Sequence, residues 1–203
     1  SVFEHGRRKG WATVNPCKLA EYPESDTEAE IRFLTDDELG RLLAAVPDDD
    51  LGVVERPMYL MAAMSGLRQG ELLALRWLDV DWLASRVRVR QNFVRGQFGT
   101  PKSKRSTRSV PLALRVAREL EALSSRTPFA ADEDLVFAHP HTGKPVDRSK
   151  RVMRYKRALR RGGVREVRFH DLRHTFGTRC AATGVPMRTL QEWMGHRDFK
   201  TTL

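Results

Sequence analysis

The sequence predicts an α+β fold, mainly α-helical, with a small antiparallel β-sheet on one edge. Three observations carry this expectation. Apolar residues recur at helical spacing through most of the 203 residues. In "TDDELGRLLAAV", for example, Leu39, Leu42, Leu43 and Val46 fall at i, i+3, i+4 and i+7 and line one face. Strict alternation marks "SRVRVRQNFVRG", where Val87 and Val89 sit between arginines as in a half-buried strand. A turn-rich stretch, "GTPKSKRST", then separates it from a second short strand, "RSVPL", so the two read as a sheet with a basic hairpin tip.

The elements follow in order. Residues 1–20 read as the end of a helix and an exit broken at Asn15–Pro16. Residues 21–33, "EYPESDTEAEIRF", are polar and acidic and read as a linker. The main domain then runs over 34–203. Thr35 and Glu38 form a capping box that starts its first helix. Pro57 is placed to open a second, "RPMYLMAAMSG", which is almost wholly apolar and therefore central, with Tyr59 in the core. Gly66 ends it, and "RQGELLALRW" makes a third. After the strands come an amphipathic helix, "ALRVARELEALSS", a turn region, "FAHPHTGKPV", and a basic helix, "DRSKRVMRYKRALRRGG", with Val152, Tyr155 and Leu159 on one side. "FHDLRHTFGTRCAATG" is a helix that buries Leu172, Phe176 and Cys180 and is closed by Gly184 at C′. "PMRTLQEWMGH" is one more, and "DFKTTL" reads as the opening of another. No internal repeat is visible.

Charge narrows the function. The net charge is +10 and the pI about 10.2. Between Lys144 and Arg173 there are twelve Lys or Arg against three acids, Asp147, Glu166 and Asp171. A stripe of that density faces a polyanion, most often nucleic acid. No run approaches the roughly 20 apolar residues of a membrane span, and "SVFEHGRRKG" lacks the apolar region of a signal peptide. Cys17 and Cys180 lie far apart and neither belongs to a CxxC pair, which fits a reducing cytoplasm. Ser1 in place of Met reads as the start of a cut fragment. The excess of arginine over lysine, 28 to 8, fits a GC-rich bacterial or phage genome.

Four stretches carry chemistry. In "SGLRQGEL", Arg68 and Glu71 stand three apart at a helix start and can meet, and the approach past Gly66 and Gly70 would let Arg68 hold a phosphate oxygen. In "HDLRHT", His170 and Arg173 are three apart and His174 lies four from His170. HxxxH is also a metal-ligand spacing, but Arg173 on the same side would repel a cation and no cluster completes a site. "WMGHRD" places His196 after a glycine at a helix end, and "TPKSKRST" puts Lys102 and Lys104 on a hairpin tip. Each alone has a structural reading. Together they assemble arginines, histidines and a lysine, the inventory for attack on a phosphodiester without a metal or other cofactor: guanidiniums neutralise charge growing on the non-bridging oxygens, histidines hold or shuttle a proton and a lysine protonates the leaving oxygen. A nucleophile is missing.

In this order the boxes resemble the tyrosine recombinases, the phage-integrase family of site-specific DNA recombinases. "SGLRQGEL" is similar to the first arginine box, "TPKSKRSTRSVPL" to the lysine hairpin and its strand, "HDLRHT" to the family's most recognisable motif, and "LQEWMGHRD" to the box with the second histidine. The resemblance implies a helical catalytic domain of the tyrosine-recombinase type over 34–203, with residues 1–20 as the tail of a separate DNA-clamping domain. It implies that Arg68 and Arg173 clamp the scissile phosphate, His170 is the acid/base partner of the nucleophile, His196 bonds a phosphate oxygen, Lys102 is the general acid, with Lys104 as the alternative, and Glu71 supports Arg68. Lys104, Arg105, Arg148, Lys150, Arg151, Arg154 and Arg157 would contact double-stranded DNA. A homotetramer on DNA is the implied assembly, and the nucleophilic tyrosine is expected just beyond Leu203, since Tyr22, Tyr59 and Tyr155 all precede the last box. A non-catalytic DNA-binding module of the same fold and a type IB topoisomerase-like enzyme are the alternatives.

Overall fold

The computed structural model describes residues 2–18, 32–99 and 108–195. The chain divides into two compact units, 1–30 and 31–203. In the first, α1 (Val2–Arg8) is followed by a 3₁₀ turn at Pro16–Lys18. Glu4 joins the two, accepting from Arg7 Nη2 (2.9 Å) and Asn15 Nδ2 (3.2 Å). Most of the acidic stretch 21–33 lies outside the described residues.

The second unit is mainly helical, with small antiparallel sheets, as the sequence predicts. Helix α2 (Asp36–Ala44) carries the capping box: Thr35 Oγ1 accepts from the Glu38 amide (3.2 Å) and the Thr35 amide donates back to Glu38 (2.8 Å). Such a cap stabilises by about 1 kcal/mol. Leu39, Leu42 and Leu43 are buried behind it, each contributing roughly 1.5–3 kcal/mol. The next helix begins earlier than Pro57. Helix α3 spans Asp50–Ser65, because Asp49 caps it by accepting from the Gly52 amide (2.8 Å), and it runs through Pro57. Almost every α3 side chain is buried, including Tyr59, which meets Tyr155 and Phe169 edge-on. Gly66 ends α3 in the left-handed region, φ +64°.

Helix α4 is short, Gln69–Leu73. Strand β2 (Arg86–Val89) lies between β1 (Val80–Asp81) and β5 (Arg108–Pro111), all antiparallel, with Val87 opposite Val110. The expected single hairpin is more elaborate. The chain leaves β2 and forms a separate pair, β3 (Asn92–Val94) with β4 (Gln97–Gly99). Arg95 and Gly96 have φ of +52° and +80°, the two positive angles of a tight two-residue hairpin turn. Residues 100–107, the expected basic tip, lie outside the described residues.

Helix α5 (Leu114–Ser124) packs against α3. The basic helix α6 (Arg148–Arg161) buries Arg151, Tyr155, Ala158 and Leu159. Val152, expected on that face, is 39% exposed. The buried row is i, i+4, i+7, i+8 counted from Arg151, whose stem takes the apolar place while its head donates to the Val146 carbonyl (2.8 Å). Helix α7 (Asp171–Ala182) lies along α3 and buries Leu172 and Phe176, with Cys180 half-buried. Gly184 follows at φ +77°. Helix α8 (Met187–Met194) packs on α7 and β5 and ends at Gly195, φ +65°. Among the described residues no helix is long and apolar enough to cross a membrane.

Candidate active site

The last turn of α8 is the point of convergence. A helix end leaves carbonyls without intrahelical partners, and here three consecutive ones are taken by three arginines from three different elements. Arg108, at the start of β5, donates from Nε to the Trp193 carbonyl (2.6 Å). Arg173, in the first turn of α7, donates to the Met194 carbonyl (2.5 Å) and also to the Gly66 carbonyl. Arg68, just before α4, donates from Nη2 to the Gly195 carbonyl (2.7 Å). Positive charge beside the C-terminal end of a helix is also favoured by its dipole.

Glu71 binds two of the three. Its carboxylate accepts from the Arg68 amide (2.7 Å), from Arg68 Nη1 (3.0 Å), and from Arg108 Nη1 and Nη2 (2.9 and 2.8 Å). Burial alone would raise its carboxyl, but hydrogen bonds and charge from Arg108, with Arg68 behind, overcome that and hold it below the usual carboxylate range. Arg173 has no carboxylate within ion-pair distance among the described residues. It is 3% exposed, and burial followed by repulsion from Arg68 lowers its guanidinium below the ordinary value, though it stays charged at neutral pH. Three guanidiniums against one carboxylate leave the cluster with excess positive charge beside a half-exposed Arg68. A phosphate would complete it.

The expected pair Arg68–Glu71 therefore forms and is joined by Arg173. Arg108, which the motif reading passed over, is the residue that closes the cluster. Its sequence signal is phase: Arg108 stands two residues from the buried Val110 and so shares its face of the sheet. The glycines play a different part from the open approach expected of them. A Cβ on Gly66 would lie 2.4 Å from the Phe176 ring, and one on Gly70 would lie 2.8 Å from the Phe93 carbonyl. Both glycines are needed for close packing that sets the Arg68 turn.

His170 stands at the N-cap of α7, exposed as a residue but with its ring half-buried edge-on against His174, centroids 5.3 Å apart. Burial, then the neighbouring His174 and Arg173, hold His170 below the ordinary imidazole value, and burial does the same to His174. Both are neutral at pH 7, the form that accepts a proton. Asp171 fixes the start of the helix by accepting from the Arg168 amide (2.7 Å). Thr175 Oγ1 donates to the Asp171 carbonyl (3.1 Å) and accepts from the Leu34 amide (2.9 Å). No group of three His, Cys, Asp or Glu able to hold a metal occurs among the described residues.

The expected DNA contacts on α6 divide. Arg148, Lys150 and Arg157 are exposed. Arg151 is buried, as described, so its charge does not reach solvent. Arg154 is consumed by acids, bonding both oxygens of Glu55 (2.8 Å) and of Asp49 (2.6 and 3.0 Å). These two arginines anchor α6 and are withdrawn from the contact surface expected of them. Lys102, Lys104, Arg105 and His196 lie outside the described residues.

The sequence profile of the phage integrase family matches residues 32–203. A tyrosine recombinase XerC-like protein of Caldanaerobacter subterraneus is 29% identical over all of this chain and 58% of its own length. A putative prophage phiRv2 integrase of Mycobacterium tuberculosis is 30% identical over 90% of the chain and 48% of its own. The chain thus spans about half the length of the curated relatives it matches. Among solved structures, an integrase from mycobacterium phage Brujita has a TM-score of 0.63 at 27% identity, covering 96% of this chain and 59% of its own. The Tn1549 transposon integrase, in complex with a circular intermediate DNA, shares the fold with a TM-score of 0.76 at 21% identity, covering 99% and 69%. With a family profile that covers the whole arginine cluster and the helices that build it, the chain belongs to the phage integrase family.

Proposed function

We propose that this chain is the catalytic part of a site-specific DNA recombinase, which cuts and rejoins duplex DNA through a 3′-phosphotyrosyl intermediate. The observation that carries the reading is the set of Arg68, Arg108 and Arg173 on three consecutive carbonyls at the end of α8, with Glu71 pairing only Arg68 and Arg108. Attack on a phosphodiester raises the charge on its non-bridging oxygens from one to two. A preorganised cluster with surplus positive charge favours that state over the ground state. Arg68 and Arg173 would clamp those oxygens, and His196 would donate a further hydrogen bond.

The covalent step balances without ATP. A tyrosine oxygen attacks phosphorus, a tyrosyl–phosphorus bond forms, and the bond to the 5′ oxygen breaks. His170, neutral at pH 7, would receive the phenolic proton, and Lys102, or Lys104 in its place, would supply one to the leaving 5′ oxygen. Tyr59 and Tyr155 are unsuited to attack: both are buried, and burial pushes their hydroxyls well above the usual phenol value. Tyr22 lies outside the described residues, and the nucleophile we propose is a tyrosine C-terminal to His196, where the family resemblance places it. Duplex DNA as partner is supported by the net charge of +10, by the exposed Arg148, Lys150 and Arg157 on α6, and by the DNA complex of the Tn1549 relative. A homotetramer on DNA, in a bacterial or phage-infected cytoplasm, is the assembly proposed for the whole protein.

The test is cleavage by the full-length protein. Arg173→Ala should lower the rate of strand cleavage by about 10²–10³ while duplex binding persists. Unchanged cleavage by Arg173→Ala would contradict the assignment.

A further inference from the structure

Arg108 is the most enclosed member of the cluster that still carries an ion pair, with 6% of its side chain exposed. Its guanidinium bonds both Glu71 oxygens and the Trp193 carbonyl. It also lies flat against Gly195, where a Cβ would come within 3.1 Å of its Cζ. It is thus walled in by α4, α8 and its own strand, and does not present itself to a ligand as Arg68 does.

We propose that Arg108 is a positioning residue that keeps Arg68 available for the phosphate. Arg68 and Arg108 share Glu71 Oε1, at 3.0 and 2.9 Å. A carboxylate beside a guanidinium prefers a two-pronged pair. Arg108 already occupies both Glu71 oxygens with such a pair, so Arg68 reaches Glu71 side chain to side chain through Nη1 alone. Its Nη2 is held at the Gly195 carbonyl and its side chain stays 43% exposed. With Arg108 gone, Glu71 would turn to Arg68, close both prongs on it, and draw it away from a phosphate. The same substitution would free the Trp193 carbonyl and loosen the last turn of α8. Arg108 therefore tunes one cation through another, and its two hydrogen-bonding partners, Glu71 and Trp193, come from sequence positions that no local motif joins.

This inference rests on the recombinase reading, and one experiment separates the two. Full-length protein is tested on a nicked duplex with either the natural scissile phosphate or a methylphosphonate, in which a methyl group replaces one charged oxygen. The neutral substrate has less need of Arg68. Arg108→Lys keeps the charge but gathers its donors on one nitrogen in place of three, so the two-pronged pair with Glu71 is lost. It should fold and bind DNA within about threefold of wild type. Cleavage of the natural phosphate should fall about tenfold or more, and that of the methylphosphonate by less than about threefold. Wild-type cleavage rates in Arg108→Lys, an equal loss on both substrates, a parallel loss of DNA affinity, or loss of the folded state by circular dichroism would each overturn the proposal. Absence of cleavage by the wild-type protein itself would instead remove the recombinase reading beneath it.

Discussion

Glu71→Ala is the perturbation whose size the structure sets most clearly. Glu71 is 8% exposed and accepts four hydrogen bonds from two arginines. Arg68 is 43% exposed and can rehydrate when its partner goes, so its share of the loss is small, about 0–1 kcal/mol. Arg108 is 6% exposed and keeps only the Trp193 carbonyl. Breaking a buried pair from one side costs about 3–5 kcal/mol, and the retained carbonyl bond puts Arg108 at the low end, about 3 kcal/mol. For a domain of this size that is a fall in Tm of roughly 6–12 °C. The assay is urea unfolding of wild type, Glu71→Ala, Arg108→Met and the double variant. The single losses should not add, leaving a coupling of about 2 kcal/mol. The pH dependence has a definite sign: the Glu71 carboxyl is held below its ordinary value of 4.5, so its contribution is complete above that value and is lost as pH falls below it. A coupling under about 0.5 kcal/mol would refute the shared-carboxylate cluster.

Three further outcomes follow from other parts of the structure. The affinity for duplex DNA should fall steeply with salt. Each of Arg148, Lys150 and Arg157 that contacts a phosphate should lower the log–log slope by about 0.9 when changed to Ala, whereas Arg151, buried and bonded to the Val146 carbonyl, should leave the slope unchanged when replaced by Met. Thr175→Val orphans the buried Leu34 amide and should cost about 1–3 kcal/mol in urea unfolding; a neutral result would show that the amide finds another partner. His170 and His174 are both held below 6.5, so their neutral forms contribute stability that is intact above that value and lost as pH falls through their folded-state values. A His170→Asn/His174→Asn chain should therefore lose less Tm than wild type between about pH 7 and about pH 5, and an equal loss would contradict the assignment.

The sequence was most legible where a few neighbouring residues decide the outcome. The Thr35–Glu38 box, the Gly66 and Gly184 stops and the Arg68–Glu71 pair are all contacts across three or four positions, and each is present. The start of α3 was read late because Pro57 is a stronger local signal than the Asp49 cap eight residues earlier. Arg108 was invisible for a different reason. Its partners lie 37 and 85 positions away, and only the folded sheet brings β5 against the end of α8. The basic helix shows the converse. Charge density marks a basic helix, but it does not reveal which side of that helix faces inward. Arg151 and Arg154 therefore read as surface charges in the sequence, although one is buried and the other is held by Asp49 and Glu55.

The most direct measurement is the chemistry of the covalent adduct formed by the full-length protein on a nicked duplex, in the presence of a chelator. The expected result is protein joined through a tyrosine C-terminal to His196 to the 3′ phosphate, with a free 5′ hydroxyl, and loss of the adduct when Arg68 or Arg173 is replaced. A 5′ linkage, an adduct through any residue of the described chain, or an adduct that survives loss of both arginines would contradict the phosphate-activating cluster.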